Sequence, residues 1–279
     1  MDSLVTTDWL AAEQGKDDLR ILDATYFMSG SGRDGRAEHE AAHIPGAVFF
    51  DLADISDGDS PLPNMLPPPH KFASRMQSLG IGDGARIVVY DNSPLHSAAR
   101  AWWMLRTFGA PQVSILDGGL TKWQAEGRPV ETGGSQVRHG HFTPLSEAGA
   151  VADKAFMLGN LTGQSHQILD ARSQARFAGS GADPHGVAGG HIPGSANLPQ
   201  DRLFNDDGTY KQDAALKAEY DAARVDLARP LVATCGSGVT ACVLLFGAHL
   251  LGHEGAKLYD GSWSEWGADP ATPKAMFAT

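Results

Sequence analysis

The sequence predicts an α/β protein made of two copies of one unit, each a parallel sheet covered by helices. Three observations carry this. First, four blocks recur in one order: ILDA at residues 21–24 and 168–171, HIPG at 43–46 and 191–194, an apolar run at 87–91 and 231–235, and ILDGGL at 115–120 against LYDGSW at 258–263. Trp123 and Trp266 then fall at the same offset from their glycines. Matched blocks in matched order read as a tandem duplication. Second, each copy alternates short apolar β-type runs with amphipathic segments, the pattern of a parallel sheet buried on both faces. Third, 279 residues are enough for two separate cores.

Taken in order, residues 3–15 (SLVTTDWLAAEQG) predict a short helix capped by Thr6 or Thr7 and stopped by Gly15. Residues 19–24 predict a buried strand ending on an acid, followed by a glycine-rich loop, a short charged helix (AEHEAA) and the first HIPG block. A proline-rich loop leads to a helix from about His70 to Leu79, with His70 at its start. Residues 86–91 predict a second strand. Ser97 to Phe108 predict a helix whose apolar side carries Trp102, Trp103, Leu105 and Phe108. Residues 113–117 close the first sheet. The expected division is residues 1–131 as the first domain, 132–150 as an aperiodic Gly/Ser/Thr/His-rich linker, and 151–279 as the second domain.

Composition narrows the function. A net charge of −11 and an isoelectric point near 5.4 leave no basic surplus to neutralise phosphates, so nucleic acid is not an expected partner. An anionic substrate would instead need positive groups placed locally at its site. The polar, acidic start MDSLVTTDWLAAEQGKDDLR does not read as a signal peptide, and no apolar run approaches membrane-spanning length. A cytoplasmic protein with no membrane partner is the expectation. The only cysteines are Cys235 and Cys242, seven apart and without a CxxC pattern, which supports neither a disulfide scaffold nor cysteine-ligated zinc. No metal and no cofactor are expected.

The stretch LVATCGSGVTA at residues 231–241 carries the chemistry. A strand delivers Cys235 to a glycine-bearing turn, and an apolar helix from Thr240 to Leu251 follows. Gly236 and Gly238 let the backbone curl until its N–H groups point inward, and the helix start adds unpaired N–H groups of its own. A cysteine at the centre of such a cradle is set up as a nucleophile. A structural cysteine is the blander reading, but a packing residue needs no glycines around it. In the first copy Asp91 occupies the matching position, followed by Asn92-Ser93-Pro94 in a longer loop. A carboxylate cannot do a thiolate's covalent chemistry, so one copy carries the nucleophile.

With the repeat, the HIPG blocks and the CGSGVT loop, the chain resembles the two-domain rhodanese-like sulfurtransferases, and among them the 3-mercaptopyruvate sulfurtransferases. The resemblance extends over SAARAWWMLRTFG, LDGGLTKW, ILDARSQARF, GHIPGSANLP, PLVATCGSGVTAC and YDGSWSEW. It implies tandem rhodanese-like domains, each with a parallel five-stranded sheet flanked by helices, the second catalytic. It further implies that Cys235 takes sulfur from a small-molecule donor, holds it as a persulfide, and passes it to a thiol such as thioredoxin or a small thiol, or to cyanide. The loop N–H groups of Gly236, Ser237, Gly238, Val239 and Thr240 would stabilise the charged sulfur, with the Ser237 and Thr240 hydroxyls as added donors. Thr240 reads equally as a helix cap. Thiosulfate-preferring relatives carry basic residues just after the cysteine; the uncharged Gly236 and Ser237 favour a monocarboxylate donor such as 3-mercaptopyruvate, with thiosulfate as the rival.

Arg176 of SQARF matches the family's substrate-binding arginine, with a surface arginine near a domain interface as the plain alternative. A second family arginine is replaced by His185 in GADPHGVAGG, whose charge would depend on pH. The family's first-domain acid and histidine, proposed to relay protons with the loop serine, fall on Ala53 and Asn64, neither of which shuttles protons. A serine relay of that form is therefore expected to be absent.

Among the remaining residues, His43 and His191 recur in both copies and are expected to hold the HIPG turns. Trp263 and Trp266 are expected to pack in the core or a cleft, Arg100 and Arg172 to pair with acids at strand ends, and Cys242 to be a small buried residue. Two other classes compete. Dual-specificity phosphatases of this fold need an arginine where this chain has Ala241, in a loop one residue longer. A non-catalytic rhodanese module would not need the intact cysteine cradle. An internally duplicated chain needs no partner subunit, so a monomer is expected.

Overall fold

The computed structural model describes residues 1–135, 137–145 and 149–276. They fall into two compact units. Met1–Gly58, Leu66–Glu147 and Asn205–Tyr210 make the first, and Asp59–Met65, Ala148–Phe204 and Lys211–Thr279 the second. Each unit thus takes in one short segment from the other half of the sequence.

In the first unit the elements are β1 (Leu4–Val5), α1 (Thr7–Glu13), β2 (Leu19–Asp23), α2 (Gly35–Ala41), β3 (Ala47–Phe49), α3 (Leu52–Ile55), α4 (Pro69–Ser78), β4 (Arg86–Tyr90), α5 (Ala98–Thr107), β5 (Gln112–Leu116) and α6 (Gly119–Ala125). The sheet runs β1-β5-β4-β2-β3 and every pair is parallel. Its central strand β4 is apolar from Ile87 to Tyr90, all buried, as a strand covered on both faces requires. Residues 3–15 are not one helix. Leu4 and Val5 pair with Ile115 and Leu116 as an edge strand, and the Thr6 hydroxyl then accepts the Trp9 N–H to start α1. Two residues carry no periodicity, so the sheet's demand for a fifth strand outweighs a local helix reading.

The second unit repeats the plan: β6 (Val151–Ala152), α7 (Lys154–Gly163), β7 (Gln167–Asp170), α8 (Gln174–Ala178), β8 (Ala196–Asn197), a 3-10 turn at Gln200–Leu203, α9 (Asp213–Ala222), β9 (Leu231–Thr234), α10 (Ala241–Leu250), β10 (Lys257–Tyr259) and α11 (Ser262–Trp266). Its sheet order, β6-β10-β9-β7-β8, is again all parallel. Strand β9 is central and fully buried, and α10 is buried over its first eight residues. Gly247 sits in that helix because a Cβ there would lie 2.6 Å from the Tyr220 hydroxyl, which donates to the Leu244 carbonyl. The core gathers Met157, Ile168, Ile192, Val232, Tyr259, Trp263 and Trp266.

Of the expected linker, residues 136 and 146–148 lie outside the described residues. Much of the described part packs on the first unit. Phe142 is buried against Phe72, and the Gly140 and Leu145 N–H groups donate to Gln77 and Phe108 carbonyls. No helix among the described residues is long and apolar enough to cross a membrane.

Candidate active site

In an all-parallel sheet the loops that leave the carboxyl ends of the central strands converge, and β9 is such a strand. Its loop runs from Cys235 to Thr240 and hands over to α10 at Ala241. Gly238 takes a left-handed φ of 76°, which turns the loop back on itself. Cys235 is 1% exposed and both cysteines are free thiols. Cys242 lies under the loop, with its Sγ 3.4 Å from the Gly238 carbonyl.

The loop amides are unusual in what they lack. Among the described residues, the N–H groups of Gly236, Ser237, Val239 and Thr240 reach no protein acceptor, although Gly236, Ser237 and Val239 are buried. Buried amides are nearly always paired, so a row of unpaired ones beside a thiol is a site for negative charge. The Thr240 hydroxyl makes no cap bond to α10, which removes the capping role as its explanation.

The first unit has the same loop position closed. Asp91 Oδ1 accepts the Ser93 N–H at 3.0 Å and Oδ2 accepts the Ala98 N–H at 2.7 Å. Its carboxylate is the loop's own anion, so that copy has filled the place that the second unit leaves open.

Arg176, on α8, and His185 converge on the loop. A Cβ placed on Gly236 would lie 2.9 Å from Arg176 Nη2 and 3.0 Å from His185 Nε2, so only a residue without a side chain lets both approach this closely. Both are held by Asp183, whose side chain is 2% exposed. Asp183 Oδ2 accepts from Arg176 Nη2 at 2.7 Å and Nε at 3.2 Å, and Oδ1 accepts the His185 N–H at 2.9 Å. Burial, and then the neighbouring Arg176 charge, hold the His185 ring below the usual histidine range against the opposing pull of Asp183. It is a neutral ring at pH 7.

Asn64, in the segment Asp59–Met65, belongs to this unit and donates from Nδ2 to Ser237 Oγ at 3.1 Å. An amide does not titrate, so this partner of Ser237 orients the hydroxyl without exchanging protons with it. Ala53 is exposed on α3, in the first unit.

The turn before α11 ties the loop down. Cys235 N–H donates to Ser262 Oγ at 3.1 Å, Trp263 N–H donates to the Cys235 carbonyl at 3.0 Å, and Ser264 N–H donates to the Gly236 carbonyl at 2.8 Å. Trp263 and Trp266 are core residues whose indole N–H groups reach the Ala188 and Pro273 carbonyls. His191 Nδ1 donates to the Phe177 carbonyl and His43 Nδ1 to that of His39, so each histidine ties its HIPG turn to the preceding helix. Arg172 pairs with Asp170 at the end of β7, while Arg100 is buried with its guanidinium 4.9 Å from the Trp103 ring centre. No group of His, Cys, Asp and Glu side chains among the described residues is arranged to hold a metal ion.

Sequence reasoning located Cys235, its glycines, Arg176 and His185, but not Asp183 or Ser262. Asp183 had a faint signal as an acid two residues before His185. Ser262 had one as the position where the repeat departs from Gly119.

Comparison with known proteins places these features among relatives. The family model described as "Rhodanese-like domain" matches twice, at residues 6–126 and 155–269. The 3-mercaptopyruvate sulfurtransferase of Escherichia coli (strain K12) is 42% identical over 273 residues, covering 96% of each chain. A protein of Cricetulus griseus named thiosulfate sulfurtransferase is 40% identical, covering 95% of this chain and 91% of its own. The crystal structure of SseA from Escherichia coli, titled for the fold and mechanism of 3-mercaptopyruvate sulfotransferases, superposes with a TM-score of 0.87 at 40% identity, covering 94% of this chain and 99% of that one.

Proposed function

The chain belongs to the rhodanese-like family, and we propose that it is a sulfurtransferase that takes sulfur from 3-mercaptopyruvate onto Cys235 and passes it to a thiol or to cyanide. The observation that carries this reading is the row of unpaired amides around Cys235 in a loop without charged side chains, with Arg176 and His185 at its edge. The Cys235 thiolate attacks the donor sulfur. The carbon–sulfur bond breaks, and its electron pair leaves as the enolate of pyruvate, which takes a proton from water. The sulfur remains as Cys–S–SH, whose negative charge on ionisation the amides of Gly236, Ser237, Gly238, Val239 and Thr240 offset. An acceptor thiolate then takes the outer sulfur and restores Cys235.

Arg176 pairs with the donor carboxylate, His185 supplies a neutral ring donor, and Ser237, oriented by Asn64, donates to the carbonyl oxygen on which enolate charge develops. Thioredoxin or a small thiol suits the acceptor role, and a reducing cytoplasm suits a monomer with two free thiols.

Thiosulfate is the second reading, supported by the name of the Cricetulus griseus relative. Incubation with each donor separates the two by intact mass. 3-Mercaptopyruvate is expected to add one sulfur to the wild-type chain and none to Cys235→Ser. Sulfur gained mainly from thiosulfate would promote the second reading, and none from either donor would remove both.

A further inference from the structure

We infer that Ser262 is a positioning residue for the nucleophile, a strained serine retained because its hydroxyl aims the Cys235 loop. The inference rests on Cys235 as the sulfur carrier. Ser262 is completely buried and has a φ of 50°, in the left-handed region that side chains other than Gly, Asn and Asp rarely adopt. Such outliers persist where something compensates for the strain.

The duplicated unit supplies the comparison. The matching residue in the first copy is Gly119, at a φ of 55°, so the turn has the same shape in both units and glycine makes it without strain. In the first unit Leu120 N–H donates to the Asp91 carbonyl, as Trp263 N–H does to that of Cys235. The backbone part of the brace is therefore common to both. A Cβ on Gly119 would meet the Asp91 carbonyl oxygen at 2.4 Å, whereas the second unit makes room for a side chain at this point. The strained residue stands only in the copy that carries the nucleophile.

The hydroxyl has two bonds. It donates to the Tyr259 carbonyl at 2.8 Å, which fixes its lone pairs, and it accepts the Cys235 N–H at 3.1 Å. Neither bond goes to another residue of α11, of which Ser262 is the first. With the Trp263 and Ser264 amides, the serine fixes three polar groups on the two residues that start the loop. The direction of every following amide depends on that start, and charge stabilisation by fixed donors is steeply sensitive to aim. A local turn bond to Tyr259 is the competing role, and Ser264 makes the same kind of bond to the Gly261 carbonyl.

Two variants separate these roles. Ser262→Gly removes the hydroxyl and the strain, and Gly119 shows that glycine makes this turn; Ser262→Ala removes the hydroxyl and keeps the strain. If the hydroxyl aims the loop, both variants lower kcat for 3-mercaptopyruvate roughly 10- to 100-fold with KM within about threefold. Both also shift the pH profile of Cys235 alkylation by iodoacetamide to higher pH, while Ser262→Gly melts above Ser262→Ala. Recovery of wild-type kcat and alkylation profile in Ser262→Gly alone would assign the serine to the turn and overturn the inference. Alkylation needs no sulfur donor. A wild-type chain that gains no sulfur therefore refutes the proposed function, and an unchanged alkylation profile in both variants refutes the role of Ser262.

Discussion

His185 stands at the edge of the loop as a ring that is neutral at pH 7, with Asp183 and Arg176 as its charged neighbours and Arg172 beyond Asp183. Burial is the largest influence and lowers its proton affinity, so the site has one guanidinium charge to offer a carboxylate near neutrality. Protonation adds a second. The sign is fixed by the direction of the shift: the ring becomes cationic only as pH falls through a point below the usual histidine range. KM for 3-mercaptopyruvate is expected to fall roughly three- to tenfold between about pH 7.5 and pH 5. In His185→Gln it should stay flat. KM is the readout because the attacking sulfur must itself be deprotonated, which lowers kcat in acid in both proteins. A wild-type KM independent of pH over this range would remove His185 from the donor site. Cys235 and its glycines were legible because a thiol between a strand and a glycine-bearing turn has few structural substitutes, whereas Arg176 was singled out only through the family resemblance. The sequence hid Asp183 and Ser262, since the role of the first depends on a tertiary ion pair and that of the second on a dihedral angle.

The ends of β2 and β7 show how one scaffold holds a buried acid in two ways. In the second unit Asp170, at the end of β7, is neutralised by Arg172 two residues later, at 2.7 Å. In the first unit the acid is Asp23 and the residue two later is Thr25, so the side-chain partner comes from α2 as His39, whose Nδ1 lies 2.9 Å from Asp23 Oδ2. The counterpart of His39 on α8 is Phe177. Each stacks on the HIPG histidine, at 4.0 and 3.8 Å between ring centres, and each gives that histidine its carbonyl. His39→Phe should remove one of the polar partners of the buried Asp23, leaving it the Thr25 groups and the Tyr90 hydroxyl, and destabilise the protein by about 1–3 kcal/mol. Adding Thr25→Arg should recover most of that loss by recreating the Asp170–Arg172 arrangement. Urea unfolding of the two variants measures both, and a double variant no more stable than the single one would contradict the equivalence. Strands β2, β4, β7 and β9 were legible as apolar runs of four or five residues. The edge strands β1 and β6 were not, because two residues have no period and pair only once the neighbouring strand is in place.

Across the whole molecule the net charge of −11 works against any anionic donor. At the edge of the Cys235 loop Arg172 pairs with Asp170 and Arg176 with Asp183, and His185 is neutral. A site whose one available guanidinium is already paired with Asp183 only partly offsets the protein's long-range field, so approaching anions are repelled in proportion to their own charge. A singly charged carboxylate is opposed about half as strongly as a doubly charged thiosulfate. On the proposed reading, the uncharged Gly236 and Ser237 discriminate through what they omit, since a basic side chain there would reverse the local balance. Salt weakens the repulsion as the screening length shortens from about 30 Å at 0.01 M to about 8 Å at 0.15 M. Raising ionic strength over that range is expected to increase kcat/KM for both donors, with thiosulfate gaining roughly twice as steeply on a logarithmic scale. Steady-state rates in sodium chloride at fixed pH measure the two slopes. If kcat/KM instead fell with salt for either donor, local attraction by Arg176 would outweigh the acidic field, and the preference for a monoanion would need another cause.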